Sequence, residues 1–379
     1  MRTLIVGAGI AGLTLAGLLS RQGQSPVIID RRPEGADAGY GLALWPHGSR
    51  VFHALGVHHE FVAQSEPMRR YIARDGAGQE LTSSPMPESI SAYGHLGIIP
   101  RSDLLGLLRS ALDGVDAREG VSVEALSESG DRVDVEFDDG RSEAFDLVVG
   151  TDGIHSRVRE LLFGRLPDRD TGWGCYVWWA DTRLAAVGET TERWGAGSFL
   201  GTYPCRDQLC VIAGAPLDSL RADQPAGRAD RLAALFRGAG APVDALLAAM
   251  PGDEEDLFVW RMADVRAPRW VQGRVALVGD SAAAFLPTAG IGASMAIESA
   301  AVLADELSRT DAMYLPNALE LYERRRRQRV EAAQNQSRRL ARLMFLSSPR
   351  LASVRDRALR LARMEQMVGP LIKGLRQPI

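Results

Sequence analysis

The stretch TLIVGAGIAGLTLAGLLSRQGQSPVIID, residues 3–30, decides the fold. Thr3 to Val6 reads as a short buried strand, and the glycine-rich run Gly7-Ala8-Gly9-Ile10-Ala11-Gly12 follows it at once. An apolar helix continues to about Arg21, and Pro26 to Asp30 forms a second strand that ends in an acid. This is a βαβ unit with a GxGxxG turn. Gly7 permits the tight turn, Gly9 lets backbone approach a pyrophosphate, and Gly12 allows helix and strand to pack closely. The helix N-terminus offers N–H groups and about half a positive charge to that pyrophosphate. Asp30 is placed to accept hydrogen bonds from both ribose hydroxyls of an adenosine. Gly7, Gly9, Ile10, Ala11, Gly12 and Asp30 are therefore the first candidate cofactor residues, and the fingerprint alone fits either NAD or FAD. Leu4 to Leu19 follows Arg2 and is apolar apart from Thr14, as in a secretory leader. Its roughly 16 residues are short for a membrane span, and its glycines are better explained by the turn.

Composition narrows the chemistry. Of 44 Lys and Arg residues in the 379-residue chain, only Lys373 is a lysine. A P-loop needs a lysine directly after its second glycine, and Schiff-base enzymes need a lysine amine in a pocket; Lys373, near the C-terminal end of the sequence, suits neither. The length exceeds one hydrophobic core, so two domains or a large insertion are expected. At 46% hydrophobic and 24% charged, the chain is that of a soluble globular protein, expected in the cytoplasm without integral membrane association. Net charge is -4, yet residues 311–379 carry 15 Arg or Lys against 6 Asp or Glu. That basic tail reads as a solvated helix face, not a nucleic-acid surface. Cys175, Cys205 and Cys210 form no CxxC pair, so neither a disulfide framework nor a metal site is expected.

Three later segments choose the dinucleotide. Val148 to Arg159 reads VVGTDGIHSRVR, a strand emptying into a turn at Asp152-Gly153 with Ser156 as a helix N-cap. Arg274 to Glu298 reads RVALVGDSAAAFLPTAGIGASMAIE, a strand ending at Gly279-Asp280, then Pro287 and Gly290-Ile291-Gly292 opening a helix. Pro100 to Leu108 reads PRSDLLGLL. With these motifs the chain resembles, over nearly its whole length, the FAD-dependent aromatic hydroxylases of the para-hydroxybenzoate hydroxylase type. The resemblance implies that Asp152 meets both FAD and an incoming nicotinamide cofactor, and that Asp280 holds the ribityl chain. It places Pro287, Gly290 and Gly292 beside the flavin pyrimidine edge, where backbone N–H groups and a helix dipole stabilise reduced flavin. Arg101 would reach the FAD diphosphate, with Arg31 and the segment from Gly39 to Arg50 as further candidates. Ala284, Ile291 and Ser294 depart from the family's usual His, Gln and Asn, so those side-chain hydrogen bonds are not carried over.

The fold class expected is α/β: a Rossmann-like FAD-binding domain (1–67, 97–171 and 271–312), an inserted antiparallel β-sheet substrate domain (68–96 and 172–270), and a C-terminal helical segment (313–379). The insertions contain a hairpin signal at Asp75-Gly76 and six of the seven tryptophans: Trp173, Trp178, Trp179, Trp194, Trp260 and Trp270. A tryptophan-rich sheet is read first as packed core, and no single tryptophan is singled out as a ligand contact. In the tail, Leu319, Tyr322, Arg326, Val330, Ala333, Ser337, Leu340 and Met344 recur at helical steps as one inward stripe. Arg326 interrupts it, and an inward arginine must meet a carboxylate or reach the rim. Pro349 is expected to end that helix, with a shorter amphipathic one following.

The resemblance implies a two-part reaction. NADH or NADPH reduces the flavin, and reduced flavin and O2 form a C4a-hydroperoxide that hydroxylates or epoxidises a small aromatic, heteroaromatic or polycyclic substrate. No second Rossmann fingerprint is present, so NAD(P)H would bind transiently. No catalytic base is assigned; His155 reads as a solvated histidine within its motif. Flavin-dependent halogenases share the N-terminal fingerprint but need a catalytic lysine and a WxWxIP motif, both absent here. A reductase of the same superfamily, or a flavoprotein that binds or senses without turnover, remain as alternatives. Gly279-Asp280 disfavours an NAD-only dehydrogenase. The oligomer expected is a monomer or homodimer.

Overall fold

Thr3–Val6 runs through a six-stranded sheet in the computed structural model, which describes residues 1–33, 39–220, 227–251, 258–361 and 364–376. It pairs in parallel with Leu147–Gly150 and Val27–Asp30; Val275–Leu277 and Asp116–Glu119 extend the sheet in parallel on either side. Val271–Gln272 adds an antiparallel edge. Leu4, Ile5, Val148 and Val149 are completely buried, as unbroken apolar strands of parallel sheets are. Helices Ile10–Arg21, Arg101–Ser110 and Gly292–Ser308 pack together beside them. A three-stranded meander, Val123–Ser129, Arg132–Phe137 and Ser142–Phe145, buries every second residue, Val133, Val135 and Phe137, in the same core.

The two insertions meet in one seven-stranded sheet, ordered Phe258–Asp264, Arg169–Ala180, Gln208–Pro216, Phe199–Cys205, Glu189–Trp194, Arg70–Asp75, Glu80–Pro85. Its pairings are antiparallel except one: Glu189–Trp194 runs parallel to Arg70–Asp75, where the two insertions join. Parallel neighbours need a long crossover, which the chain between them supplies. The hairpin expected at Asp75-Gly76 joins the last two strands, with the Asp75 carboxylate accepting from the Ala77 and Gln79 N–H groups. Alternation sends Cys175 and Val177 to one face of this sheet, and Tyr176 and Trp178 to the other. That second face packs with Leu232 and Leu246 of helices Arg228–Leu235 and Ala241–Ala248.

The tail helix, Leu315–Met344, spans 30 residues, about 45 Å at 1.5 Å per residue. Arg326 is 1% exposed and meets the expected carboxylate: it donates to Glu298 at 2.6 Å, and Arg50 and Arg329 each donate to the same group at 2.7 Å. The inward stripe departs from expectation at two places. Gln334 and Ala341 are buried where Ala333 and Leu340 were expected, because the Gln334 amide donates to the carbonyls of Val265 and Ala284 at 2.9 and 2.6 Å. The helix stops at Met344, and Pro349 opens the next one, Pro349–Leu361, at the first-turn position where its missing N–H costs nothing. Among the described residues, no helix is long and apolar enough to cross a membrane.

Candidate active site

The glycine turn is set by contacts that exclude side chains. Gly7 has φ +110°, and a Cβ there would lie 2.6 Å from the Thr151 carbonyl oxygen. A Cβ on Gly12 would sit 1.9 Å from the Gly7 carbonyl oxygen, so only glycine lets the helix start so near the turn. At Gly9 a Cβ would meet nothing within 4 Å, because this residue faces an open cleft. The helix starting at Ile10 directs its first N–H groups, which have no intrahelical partner, toward that space. Asp30 closes the second strand beside it, its carboxylate accepting from the Ala8 and Arg32 N–H groups at 2.8 and 2.9 Å.

The two other motifs converge on the same cleft. Asp152 is consumed locally: it accepts from the Ser156 hydroxyl at 2.5 Å and from the N–H groups of Arg157 and Val158 at 2.6 and 3.1 Å. With Ser156 as N-cap, this carboxylate completes the start of helix Arg157–Phe163. Burial raises its pKa and these hydrogen bonds oppose the rise. Arg159, which the sequence reading did not single out, is 6% exposed and ties the motifs together by donating to the carbonyls of Ile154 and Ser281 at 2.5 and 3.0 Å. Asp280 follows Gly279, which has φ +69°. Its carboxylate surface opens into the cleft while protein encloses it elsewhere, and that enclosure raises it to about 6 against the pull of Arg159 and Arg101. Arg101 begins helix Arg101–Ser110, donates its N–H to the Tyr40 carbonyl at 2.9 Å, and hydrogen-bonds the Tyr40 hydroxyl.

Pro287–Ala289 forms a short turn, Gly290 takes φ +58°, and helix Gly292–Ser308 starts directly after it at the cleft. The departures from the family motif have structural partners. Ile291 is 2% exposed and packs into the core. The Ser294 hydroxyl accepts from the Trp45 N–H at 3.0 Å, fixing the segment that faces Gly290. Ala284 offers only its backbone, to Gln334 and Val265.

Beyond this ledge the cleft deepens between the seven-stranded sheet and the tail helix into a space of about 570 Å³ for the whole cavity. Met68, Phe199, Met262, Phe285, Met344 and Phe345 supply an apolar wall. Trp194 and Trp260 reach it, whereas Trp173, Trp178 and Trp270 are core residues, as the packed-core reading expects. Within that wall lies a buried carboxylate absent from the sequence reading. Glu192 accepts from the hydroxyls of Tyr71 at 2.6 Å and Tyr203 at 2.8 Å and from the Trp194 indole at 3.0 Å. Burial raises the Glu192 carboxyl, and burial with the adjacent carboxylate holds both tyrosines well above their ordinary value. The signal available in sequence was the alternation Thr190, Glu192, Trp194, which puts one acid between two wall residues.

Gly7, Gly9, Ile10, Ala11, Asp30, Arg31, Arg101, Asp152, Asp280, Pro287, Gly290 and Gly292 all line this single cleft, while Gly12 lies beneath it. His155 also lines it and is exposed. No cluster of metal-ligating side chains occurs among the described residues. The site fits a dinucleotide: a cradle into which a Gly9 Cβ would project, a carboxylate at the second strand's end, and a second helix N-terminus across the cleft.

Residues 1–337 match the family model described as FAD binding domain. The chain is 32% identical over 369 residues to a 3-amino-4-hydroxybenzoate 2-monooxygenase of Streptomyces platensis, covering 94% of this chain and 92% of that one. It is 28% identical over 362 residues to the 6-hydroxynicotinate 3-monooxygenase of Bordetella bronchiseptica, with 89% and 90% covered. The crystal structure of Klebsiella pneumoniae HpxO complexed with FAD and uric acid superposes with a TM-score of 0.89 at 25% identity, covering 99% of this chain and 96% of that one.

Proposed function

The chain belongs to the FAD binding domain family and is a FAD-dependent monooxygenase, and from that premise we propose that it uses NADH or NADPH and O2 to place one oxygen atom on a small aromatic, heteroaromatic or polycyclic substrate. The observation that carries the reading is one cleft joining the glycine cradle and Asp280 to a closed apolar wall. N–H groups at Gly9 to Gly12 and the Arg101 guanidinium would hold the FAD diphosphate, Asp30 the adenosine ribose, and Asp280 the ribityl chain. Bound FAD supplies the redox chemistry, accepting a hydride from the nicotinamide cofactor and delivering electrons to O2. The start of helix Gly292–Ser308 carries about half a positive charge at the cleft and would stabilise negative charge on a flavin ring held there. Met68, Phe199, Met262 and Phe285 line the cleft and would keep water from the reacting atoms, which would suppress loss of the reducing equivalents to peroxide.

The proposal includes a division of labour along the chain. Segments 1–67, 97–171 and 271–312 form the FAD-binding domain, 68–96 and 172–270 the substrate domain, and 313–379 the C-terminal helices. It further includes a cytoplasmic protein, monomeric or homodimeric, without a nucleic-acid partner. The test is direct. Purified protein is expected to be yellow with releasable FAD, to oxidise NADPH or NADH faster when substrate is added, and to yield a product heavier by one oxygen atom. A colourless protein that takes up no flavin on reconstitution would refute the reading.

A further inference from the structure

Three buried donors converge on Glu192, and their geometry fixes what the cavity can recognise. The carboxylate receives both tyrosine hydroxyl protons and the Trp194 N–H. Tyr71 and Tyr203 have then committed their protons, so their oxygens, like the carboxylate, can only accept further hydrogen bonds. Thr190, next but one on the same strand face, is 2% exposed, lines the cavity, and has a hydroxyl oxygen with no hydrogen-bond partner. A buried polar atom of that kind is costly unless something entering the cavity satisfies it.

The charges around the cavity are equally one-sided. The arginines that line the cleft, Arg31, Arg32, Arg101 and Arg157, all sit in the glycine-turn and motif segments. Among the described residues, no arginine or lysine lines the sheet wall that carries Glu192. Arg193 is turned to the opposite face by strand alternation, where it donates to the carbonyls of Gly76 and Ala239. An anionic group on the substrate would therefore face a buried carboxylate with no arginine or lysine among the described residues of that wall to offset it.

Resting on the monooxygenase reading above, we propose that Glu192, held by Tyr71, Tyr203 and Trp194, is the selectivity pole of the cavity and admits aromatic substrates bearing a hydroxyl or ring N–H and no carboxylate. The acceptors at Glu192, Tyr71 and Tyr203 take the substrate's hydroxyl or N–H proton in a hydrogen bond, and the Thr190 hydroxyl completes its polar edge. The substrates of the two named relatives, a hydroxybenzoate and a hydroxynicotinate, carry the carboxylate this wall rejects.

The experiment uses FAD-loaded protein and ring pairs that differ by one carboxylate: 4-hydroxyquinoline with 4-hydroxyquinoline-2-carboxylate, 2-naphthol with 3-hydroxy-2-naphthoate, and phenol with 4-hydroxybenzoate. Dissociation constants are read from the flavin difference spectrum. Flavin uptake is measured first, and its failure would refute the monooxygenase reading itself. Given bound flavin, a neutral member is expected to bind at least about tenfold more tightly than its carboxylated partner. Glu192→Gln is expected to shrink that ratio at least about fivefold, by admitting the carboxylated member. Thr190→Val, which removes a hydroxyl without an internal partner, is expected to keep the melting temperature and to weaken the neutral member about threefold or more. Equal binding within the pairs, an unchanged ratio in flavin-loaded Glu192→Gln, unchanged neutral binding in Thr190→Val, or no neutral member binding at all would each overturn the proposal.

Discussion

Lowering the pH should weaken this protein in part through His47. It lies in the short helix Pro46–Ser49, directly after the Trp45 that faces the cleft, and is 1% exposed. Burial, reinforced by Arg329, Arg50 and Arg326, pushes it down to about 4, and only Glu298 pulls the other way. Its Nδ1 has no hydrogen-bond partner. In the unfolded chain the same histidine titrates near 6.5. Between those values the unfolded state binds the extra proton, so His47's contribution is complete above pH 6.5 and is lost as the pH falls toward 4. The separation is worth at most about 3 kcal/mol, of which roughly 2 kcal/mol is gone by pH 5. Urea unfolding of wild type and His47→Gln at pH 8, 7, 6 and 5, followed by tryptophan fluorescence, isolates the contribution of this residue, because titrations of groups not coupled to it cancel in the difference. The stability gap between the two proteins is expected to move by roughly 2 kcal/mol in favour of the variant from pH 8 to pH 5. Parallel pH profiles for the two proteins would show that His47 is not held neutral by its surroundings.

Two further expectations separate cofactor contacts from folding contacts. Gly9→Ala places a methyl in open cleft, so stability without FAD should change by less than about 0.5 kcal/mol while FAD affinity falls at least about tenfold. Gly12→Ala drives its methyl into the Gly7 carbonyl and should cost about 2 kcal/mol or more of stability before any cofactor is added; thermal unfolding and FAD fluorescence quenching read both. Asp280→Ala should lower FAD retention on gel filtration more than Asp152→Ala does. Asp152→Ala should instead lose about 1–2 kcal/mol of stability, because its carboxylate caps helix Arg157–Phe163. Equal flavin retention by the two variants would contradict the assignment of Asp280 to the ribityl chain.

What was legible in sequence follows what backbone geometry demands of residue type. Gly7, Gly279 and Gly290 all have positive φ, and Gly12 tolerates no Cβ, so the glycine spacing announced the turns that shape the cleft. The Arg326 partnership was foreseeable in kind, since a buried guanidinium must be paired, but nothing local pointed to Glu298, 28 residues earlier. The expected inward stripe ran through Ala333 and did not include Gln334. The hydrogen bonds it makes to Val265 and Ala284, two segments remote in sequence, reverse that choice. Asp152 is a cofactor candidate by family motif, and its local role as a helix cap, which takes three of its acceptor sites, had no comparable signal in the sequence. Arg159 went unnoticed because its partners are carbonyls, which carry no sequence signature.

The Glu192 cluster was invisible for a different reason, one that bears on specificity. Tyr71 and Glu192 lie 121 residues apart and meet only because Arg70–Asp75 runs parallel to Glu189–Trp194, the one parallel pairing in that sheet. Strand periodicity assigns each residue a face but cannot name its neighbour across such a join. The charge composition misleads in the same way. A chain with 44 Lys and Arg residues and a single lysine suggests many guanidinium sites for anionic substrates. In the folded protein, however, arginines of the adjoining segments are engaged with other partners. Arg338 makes a two-pronged pair with Asp264 at 2.6 Å, and Arg266 binds Glu331, Gln334 and Asn335. Among the described residues, the arginines that line the cleft thus sit at the glycine turn and its neighbouring motifs, and the sheet wall carries the opposite charge. On the proposed assignment, the same scaffold can keep the residues of the glycine ledge while changing those of the sheet wall, because the two sets of side chains arise from different segments and answer to different constraints.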